Sequence, residues 1–480
     1  MAVIAAFIIN AGLNFVLGLL IAKLLGPADF GRFALATTGA IVLNTVLFEW
    51  LRLSATRFYS GRVRRDEPWI RHGLDRAYLR LGILLAAAAA LCGAFGLGEG
   101  ADGREAVLGG TALAALGIGV FDYHAALARA RFDGRLYLGL VVVKNVLALV
   151  LMAGAAWFLP QPAWVLAAAG LSQILPALLL RGPLRDPASA FERTRLPATW
   201  GVFARYGLPL IAANTAYQLL SFVNRGAVAG HAGFTESGYF ALAADVTSRS
   251  LTTLGMALDL LLFQIAVQAE EHRGRAAAEA QVAQNAATVF ALLAPCAVGF
   301  WAVLPALQAL VVPEAYRGPF ARYSLALLPG LFCLAMMFYA VNPAFQIRRR
   351  TLPVIAAAFV GLGLNGLGLL VLPGLFGGLG VALAQTLGLA GACLWLGWRV
   401  LTGPDRLVLP WGQIGGAALA CAAMGLALAP FRDLSPITAL AVLVPVGMGL
   451  YGALVWIFDI AGLRGQVMAR LRPAPAVAAE

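Results

Sequence analysis

Fourteen continuous apolar stretches, each 18 to 29 residues long, leave this chain few ways to fold. They cover 2–22, 33–56, 77–98, 106–128, 136–159, 163–180, 203–224, 238–266, 286–312, 322–345, 352–373, 379–400, 411–430 and 436–459. A helix needs about 20 apolar residues to cross roughly 30 Å of hydrocarbon, whereas a barrel strand needs about half that number and alternates. In lipid only helices and closed barrels satisfy the backbone. Runs this long read as helices, and the chain as an all-α polytopic integral membrane protein of about 14 spans. The divisions at Gln161-Pro162 and near Pro373 hinge on the shortest turns. The first stretch lacks a basic start and is too long for a signal-peptide core, so it is expected to be a retained span.

The charged residues set a direction. Of the 35 Lys and Arg, 25 fall in the segments that lie inside if both termini are cytoplasmic. Seven fall outside (Lys23, Arg32, Arg104, Arg225, Arg317, Arg322, Arg432) and three lie within spans. Basic residues concentrate on the cytoplasmic side of membrane proteins. Arg64 and Arg349 are therefore expected inside, and Gly103 and Arg317 outside. The net charge of +12 could suit nucleic acid. Because the basic residues lie between apolar runs, no nucleic-acid partner is expected.

Several function classes lose their sequence support. There is no GxxxxGK[ST], no HExxH and no GxSxG, and the four histidines are scattered. ATPase, metallohydrolase and serine-hydrolase chemistry have no motif here. The five cysteines each sit singly in an apolar run without CxxC spacing, which suits small buried side chains. The chain reads as a non-enzyme with no cofactor and no metal site.

One phrase is written twice. GPADFGRFALA at 26–36 and GFTESGYFALA at 233–243 match at six of eleven positions, offset by 207 residues. Each copy joins one span to the next, spans one to two and spans seven to eight. The glycines suit a sharp turn, because glycine tolerates positive φ. The offset marks two homologous six-helix lobes, 1–200 and 201–402, followed by two further helices and a short tail in 403–480. Repeated six-helix halves are a transporter architecture with its substrate site near the midplane.

Polar residues inside the spans point the same way. Glu49, Arg52, Asp122, Lys144, Asp245, Arg249 and Asp259 are charged. Each costs about 2.5–3.5 kcal/mol at the centre of a span, so each is expected to face water or a partner. On span eight, Asp245, Ser248, Arg249, Thr252 and Asp259 share an arc of about 100° at helical spacing. Asn214, Gln218, Ser221 and Arg225 line up on span seven, and Asn10 and Asn14 on span one. Interhelical hydrogen bonding explains such stripes as well as substrate contact does, and Asp245–Arg249 has the spacing of a structural ion pair.

The phrases LLGPADFGRFALA, YGLPLIAANTAYQLLSFVNRGAVAGHAGFTESGYFALAADV and LNGLGLLVLPGLFGGLGVALAQT together resemble the polysaccharide-exporter branch of the MOP (multidrug/oligosaccharidyl-lipid/polysaccharide) superfamily. The similarity is spread over most of 1–400 and says little about the last two helices. It implies a flippase of the bacterial inner membrane, working by alternating access. The flippase would move undecaprenyl-diphosphate-linked oligosaccharide units outward for O-antigen (lipopolysaccharide), capsule or exopolysaccharide assembly. Its partners would be that lipid-linked substrate, membrane lipids, and a polysaccharide polymerase or export machinery. The chain departs from many members at Asn224-Arg225, where they carry Asp-Arg. Two rivals stand: a multidrug/cation antiporter of the same fold, and an integral-membrane enzyme such as a polymerase.

An anionic diphosphate head group implies basic contacts, since arginine grips phosphate oxygens bidentately. Arg52, Lys144, Arg225 and Arg249, with Asn214 and Gln218, are the head-group candidates. Glu49, Asp122, Asp245 and Asp259 are the candidates for ion coupling or gating. Adding 207 to Arg52 reaches Asp259. If the lobes are pseudo-symmetric, that pair could gate the inner side. The alternative is that Arg52 pairs with Glu49 within its own lobe.

Overall fold

The computed structural model describes residues 2–59, 69–96, 103–185, 196–348, 350–402, 406–462 and 464–465. Arg64 and Arg349 lie outside the described residues, as does the side chain of Asn10. Among the described residues there is no strand, and twelve helical stretches are long and apolar enough to cross a membrane. Two of the twelve are far longer than a bilayer requires. Gly12–Phe58 has 47 residues and Trp200–Arg273 has 74, or about 70 and 110 Å at 1.5 Å per residue. Each therefore carries two of the expected spans.

Both long helices break at the repeated phrase. Helix α1 (Ala2–Asn44) bends at Gly26 with φ 72° and ψ 171°. Helix α7 (Leu196–Arg273) bends at Gly233 with φ 88° and ψ 170°. This region of backbone space is essentially reserved for glycine. The phrase thus encodes an elbow rather than a loop.

A π turn, Thr45–Glu49, continues α1 into α2 (Trp50–Phe58). Then come α3 (Trp69–Gly96), α4 (Arg104–Ala130), α5 (Gly134–Phe158) and α6 (Pro162–Leu179). After α7 follow α8 (Arg275–Leu310) and α9 (Pro319–Met336), which passes through a second π turn, Met337–Val341, into α10 (Asn342–Ile347). The remainder is α11 (Leu352–Phe376), α12 (Gly378–Leu401), α13 (Trp411–Leu428) and α14 (Pro436–Phe458). The thin division at 161 holds as a turn. The one near 373 falls at Gly377, where φ is 57°, and Pro373 stays inside α11.

The chain forms two compact units, Met1–Leu242 with Leu372–Val381, and Ala243–Val371 with Ala382–Glu480. In the first, α4 is the central helix. It crosses α6 backbone to backbone: a β-carbon on Gly117 would lie 2.5 Å from the Gly170 carbonyl oxygen. Small residues permit such approach where lipid supplies no hydrophobic drive. In the second unit, α13 and α14 dock on α8. Gln284 bonds Gln413 at 2.9 Å, and Tyr451 donates to the Ala291 carbonyl at 2.5 Å. The last two helices are built into this unit.

Candidate functional site

The first unit gathers four of the predicted charged residues. Glu49 ends the π turn and Arg52 lies one turn on. Arg52 Nε donates to Glu49 Oε2 at 2.9 Å and Nη2 donates to Oε1, a two-pronged pair. Asp122 on α4 lies within electrostatic reach of Arg52, Glu49, Arg129 and Lys144. Lys144 on α5 reaches over the Phe121 ring, Nζ 5.2 Å from its centroid. Two acids and two bases, carried by the π turn, α2, α4 and α5, thus lie inside the spans, with Asp122 within electrostatic reach of the other three. The ion pair keeps some access: the Arg52 side chain is 24% exposed and Glu49 14%.

The local sequence explains how the cluster is built. A π turn opens the backbone ladder by one residue and frees a carbonyl. Tyr78 on α3 donates to the Phe48 carbonyl at 3.3 Å and stacks on the Phe48 ring at 5.3 Å. Phe48 fits because α4 presents Gly119, where a β-carbon would lie 2.6 Å from the ring. Tyr78 was not singled out in the sequence. Its only signal there was a hydroxyl near the polar end of an apolar span.

A second cluster lies beyond this one. Tyr78 stacks on Tyr123 at 4.1 Å, and Tyr123 donates to Asp75 Oδ1 at 2.5 Å. Arg71 Nε bonds the same carboxylate at 2.9 Å. Arg131 donates to the Tyr59 hydroxyl from Nε at 3.0 Å and Nη2 at 2.8 Å, and to the carbonyls of Pro183 and Leu184 at 2.6 and 2.7 Å. The second unit has a simpler counterpart: Glu279 accepts from Arg275 at 3.3 Å and from Arg348 at 3.0 Å. In both, an arginine just past a helix end, Arg131 after α4 and Arg348 after α10, binds a side chain of another helical segment.

The other candidates are not gathered there. Asn214 is exposed and Gln218 half-buried on the first arm of α7. The structure commits Arg225 to protein: it is 7% exposed, and Nη1 donates to the Ala34 carbonyl at 3.1 Å. On the second arm Arg249 is exposed and Asp245 half-buried; Asp259 lies within electrostatic reach of Tyr339.

The two elbows meet. A β-carbon on Gly31 would lie 2.1 Å from the Phe234 carbonyl oxygen, and one on Gly238 would lie 2.0 Å from that of Pro27. Arg32 pairs with Asp29 at 2.6 Å and stacks over the Phe234 ring at 5.0 Å. Ser237 donates to the Arg225 carbonyl at 3.2 Å. Both copies of the phrase thus form one seam within the first unit.

No protein-family model matches the sequence, and no curated protein matches it. Among solved structures, a lipid II flippase MurJ in an inward closed conformation aligns with 96% of this chain and 99% of its own, with a TM-score of 0.72 and 14% identity. An inward-facing multidrug resistance MATE family transporter of the MOP superfamily aligns with 82% of this chain and 94% of its own, with a TM-score of 0.56 and 14% identity. At such identities the likeness is one of fold. The chain is an all-helical, multi-pass protein with the fold of these transporters.

Proposed function

We propose that this chain is a bacterial inner-membrane flippase, with both termini cytoplasmic. It carries undecaprenyl-diphosphate-linked oligosaccharide units outward by alternating access, for O-antigen, capsule or exopolysaccharide assembly. The observation that carries the reading is that Arg52 and Lys144 lie inside the spans, Arg52 paired with Glu49 and Lys144 within electrostatic reach of Asp122. Half-buried cations held this way are ready to exchange a protein anion for a phosphate. The lobes, 1–200 and 201–402, are the moving parts in this reading. The embedded acids Glu49 and Asp122 favour the cation-antiporter reading instead, since a cationic drug would need them.

The test is complementation of a flippase-deficient strain at matched expression. Lys144→Ala and Arg249→Ala are each expected to impair export of lipid-linked repeats, and Arg249→Lys to retain part of it because charge survives without the planar fork. Full export by both alanine variants would reject the head-group assignment. Drug resistance that depends on Asp122 but not on Lys144 would select the antiporter.

A further inference from the structure

We propose that an anionic head group enters the Glu49–Arg52–Asp122–Lys144 cluster by ion exchange: it displaces Glu49 from Arg52, and the released carboxylate takes up a proton. The inference rests on the reading of the chain as a carrier of lipid diphosphates. It starts from charge balance. The two carboxylates and two cations of the cluster cancel. The remaining charged neighbour of Asp122 is Arg129, exposed in the last turn of α4. From α3 the titratable group facing the cluster is Tyr78, whose hydroxyl is spent on the Phe48 carbonyl. Helix α6 has no charged residue, and the first arm of α7 has Arg205, which is exposed, and Arg225, which is held at the seam.

A diphosphate diester brings one negative charge on each phosphate. Arg52 presents its Nε–Nη2 edge to Glu49 with both prongs engaged. One such edge holds one carboxylate or one phosphate, so a phosphate bound there evicts the carboxylate. Glu49 is then a largely buried anion beside a phosphate, with Asp122 nearby. Like charges at close range disfavour ionisation. The other cation of the cluster, Lys144, is already within electrostatic reach of Asp122. Glu49 escapes by taking a proton from water: a carboxylate and a proton become a carboxylic acid, and no bond of the lipid breaks. The position helps. Glu49 closes a π turn, where the helical bond pattern is already interrupted.

Binding is then linked to pH. For each proton taken up, Kd rises about tenfold per pH unit while the free site holds a charged carboxylate. The experiment uses the full chain in lipid nanodiscs. The probe is undecaprenyl diphospho-N-acetylglucosamine, a diester whose own charge is constant near neutral pH. Kd is measured across neutral pH, and calorimetry is run in two buffers of different ionisation enthalpy. Wild type is expected to lose affinity as pH rises and to show a buffer-dependent enthalpy. Glu49→Gln, which keeps a hydrogen-bonding partner for Arg52, is expected to bind at least as tightly with the pH slope flattened; Arg52→Ala is expected to bind weakly. Wild-type binding with no pH slope and no buffer dependence would overturn the exchange while leaving the lipid-diphosphate reading intact. A slope that survives in Glu49→Gln and disappears in Asp122→Asn would also overturn it, by moving the proton to Asp122. Failure of wild type to bind the probe at any pH would overturn the underlying reading itself.

Discussion

At Gly31 the seam admits no side chain. The β-carbon of an alanine there would stand 2.1 Å from the Phe234 carbonyl oxygen, whereas even close carbon–oxygen contacts keep about 3.3 Å. Gly26 is needed for the opposite reason. Nothing lies within 4 Å of a β-carbon there, but its φ is 72°. Gly238 and Gly233 divide the work in the same way, with 2.0 Å to the Pro27 oxygen and a φ of 88°. The sequence showed four glycines in register; only the structure separates those that bend the chain from those that let its segments touch. Gly31→Val is therefore expected to part the elbows and expose Ser237, which is fully buried. In a cysteine-free background carrying Ser237→Cys, an impermeant maleimide should label the Gly31→Val variant much faster. Gly26→Ala should leave labelling unchanged and lower stability by about 1–3 kcal/mol, seen as a lower melting temperature. Equal labelling with and without Gly31→Val would mean that Gly31 does not close the seam.

Helices were legible where hydropathy is local, and less so where their ends are polar. The apolar stretch at 77–98 marked the body of α3 but missed its start at Trp69, because Arg71 and Asp75 belong to the helix without being apolar. The π turn at Thr45–Glu49 left no sequence signal; it carries Phe48, which packs against Gly119 on another helix. It also bears on the arithmetic linking Arg52 to Asp259. An extra residue in one helix turns everything after it by about 100°, and α7 contains no such turn. By angle, Arg52 therefore corresponds to Leu258, and the structure joins it to Glu49. The hub at Tyr59 was invisible for a related reason: Arg131 is 72 residues away in sequence. Tyr59 is 2% exposed and its hydroxyl accepts two bonds from Arg131. Tyr59→Phe would strand those donors, at about 1–3 kcal/mol. A thermal melt should show clear destabilisation, against little for Tyr137→Phe, whose ring still faces Arg129. Equal melting of the two variants would show that the hub contributes nothing to stability.

At the scale of the molecule, the repeat predicts its own contact. Adding 207 to Pro27 and Gly31 gives Phe234 and Gly238, and the seam joins Gly31 to Phe234 and Gly238 to Pro27. Exchanging the copies maps these two contacts onto each other, as in a two-fold, self-complementary interface. The alignment of two phrases could suggest a duplication but not that the duplicates touch, because touching depends on the bends at Gly26 and Gly233. The seam joins the copies by backbone approach at Gly31 and Gly238 and by the Arg32–Phe234 stack, with Phe30 and Phe240 buried beside it. If it opens in every cycle, tying it shut must stop export. Arg32 and Phe234 flank the seam, the guanidinium carbon 5.0 Å from the ring centre. With Arg32→Cys and Phe234→Cys in a cysteine-free background, a short thiol-specific bifunctional linker should abolish export of lipid-linked repeats. Reduction of the linkage should restore it, and each single variant should export with or without linker. Unimpaired export by the cross-linked double variant would show that the seam is a permanent strut and that access to the substrate changes elsewhere.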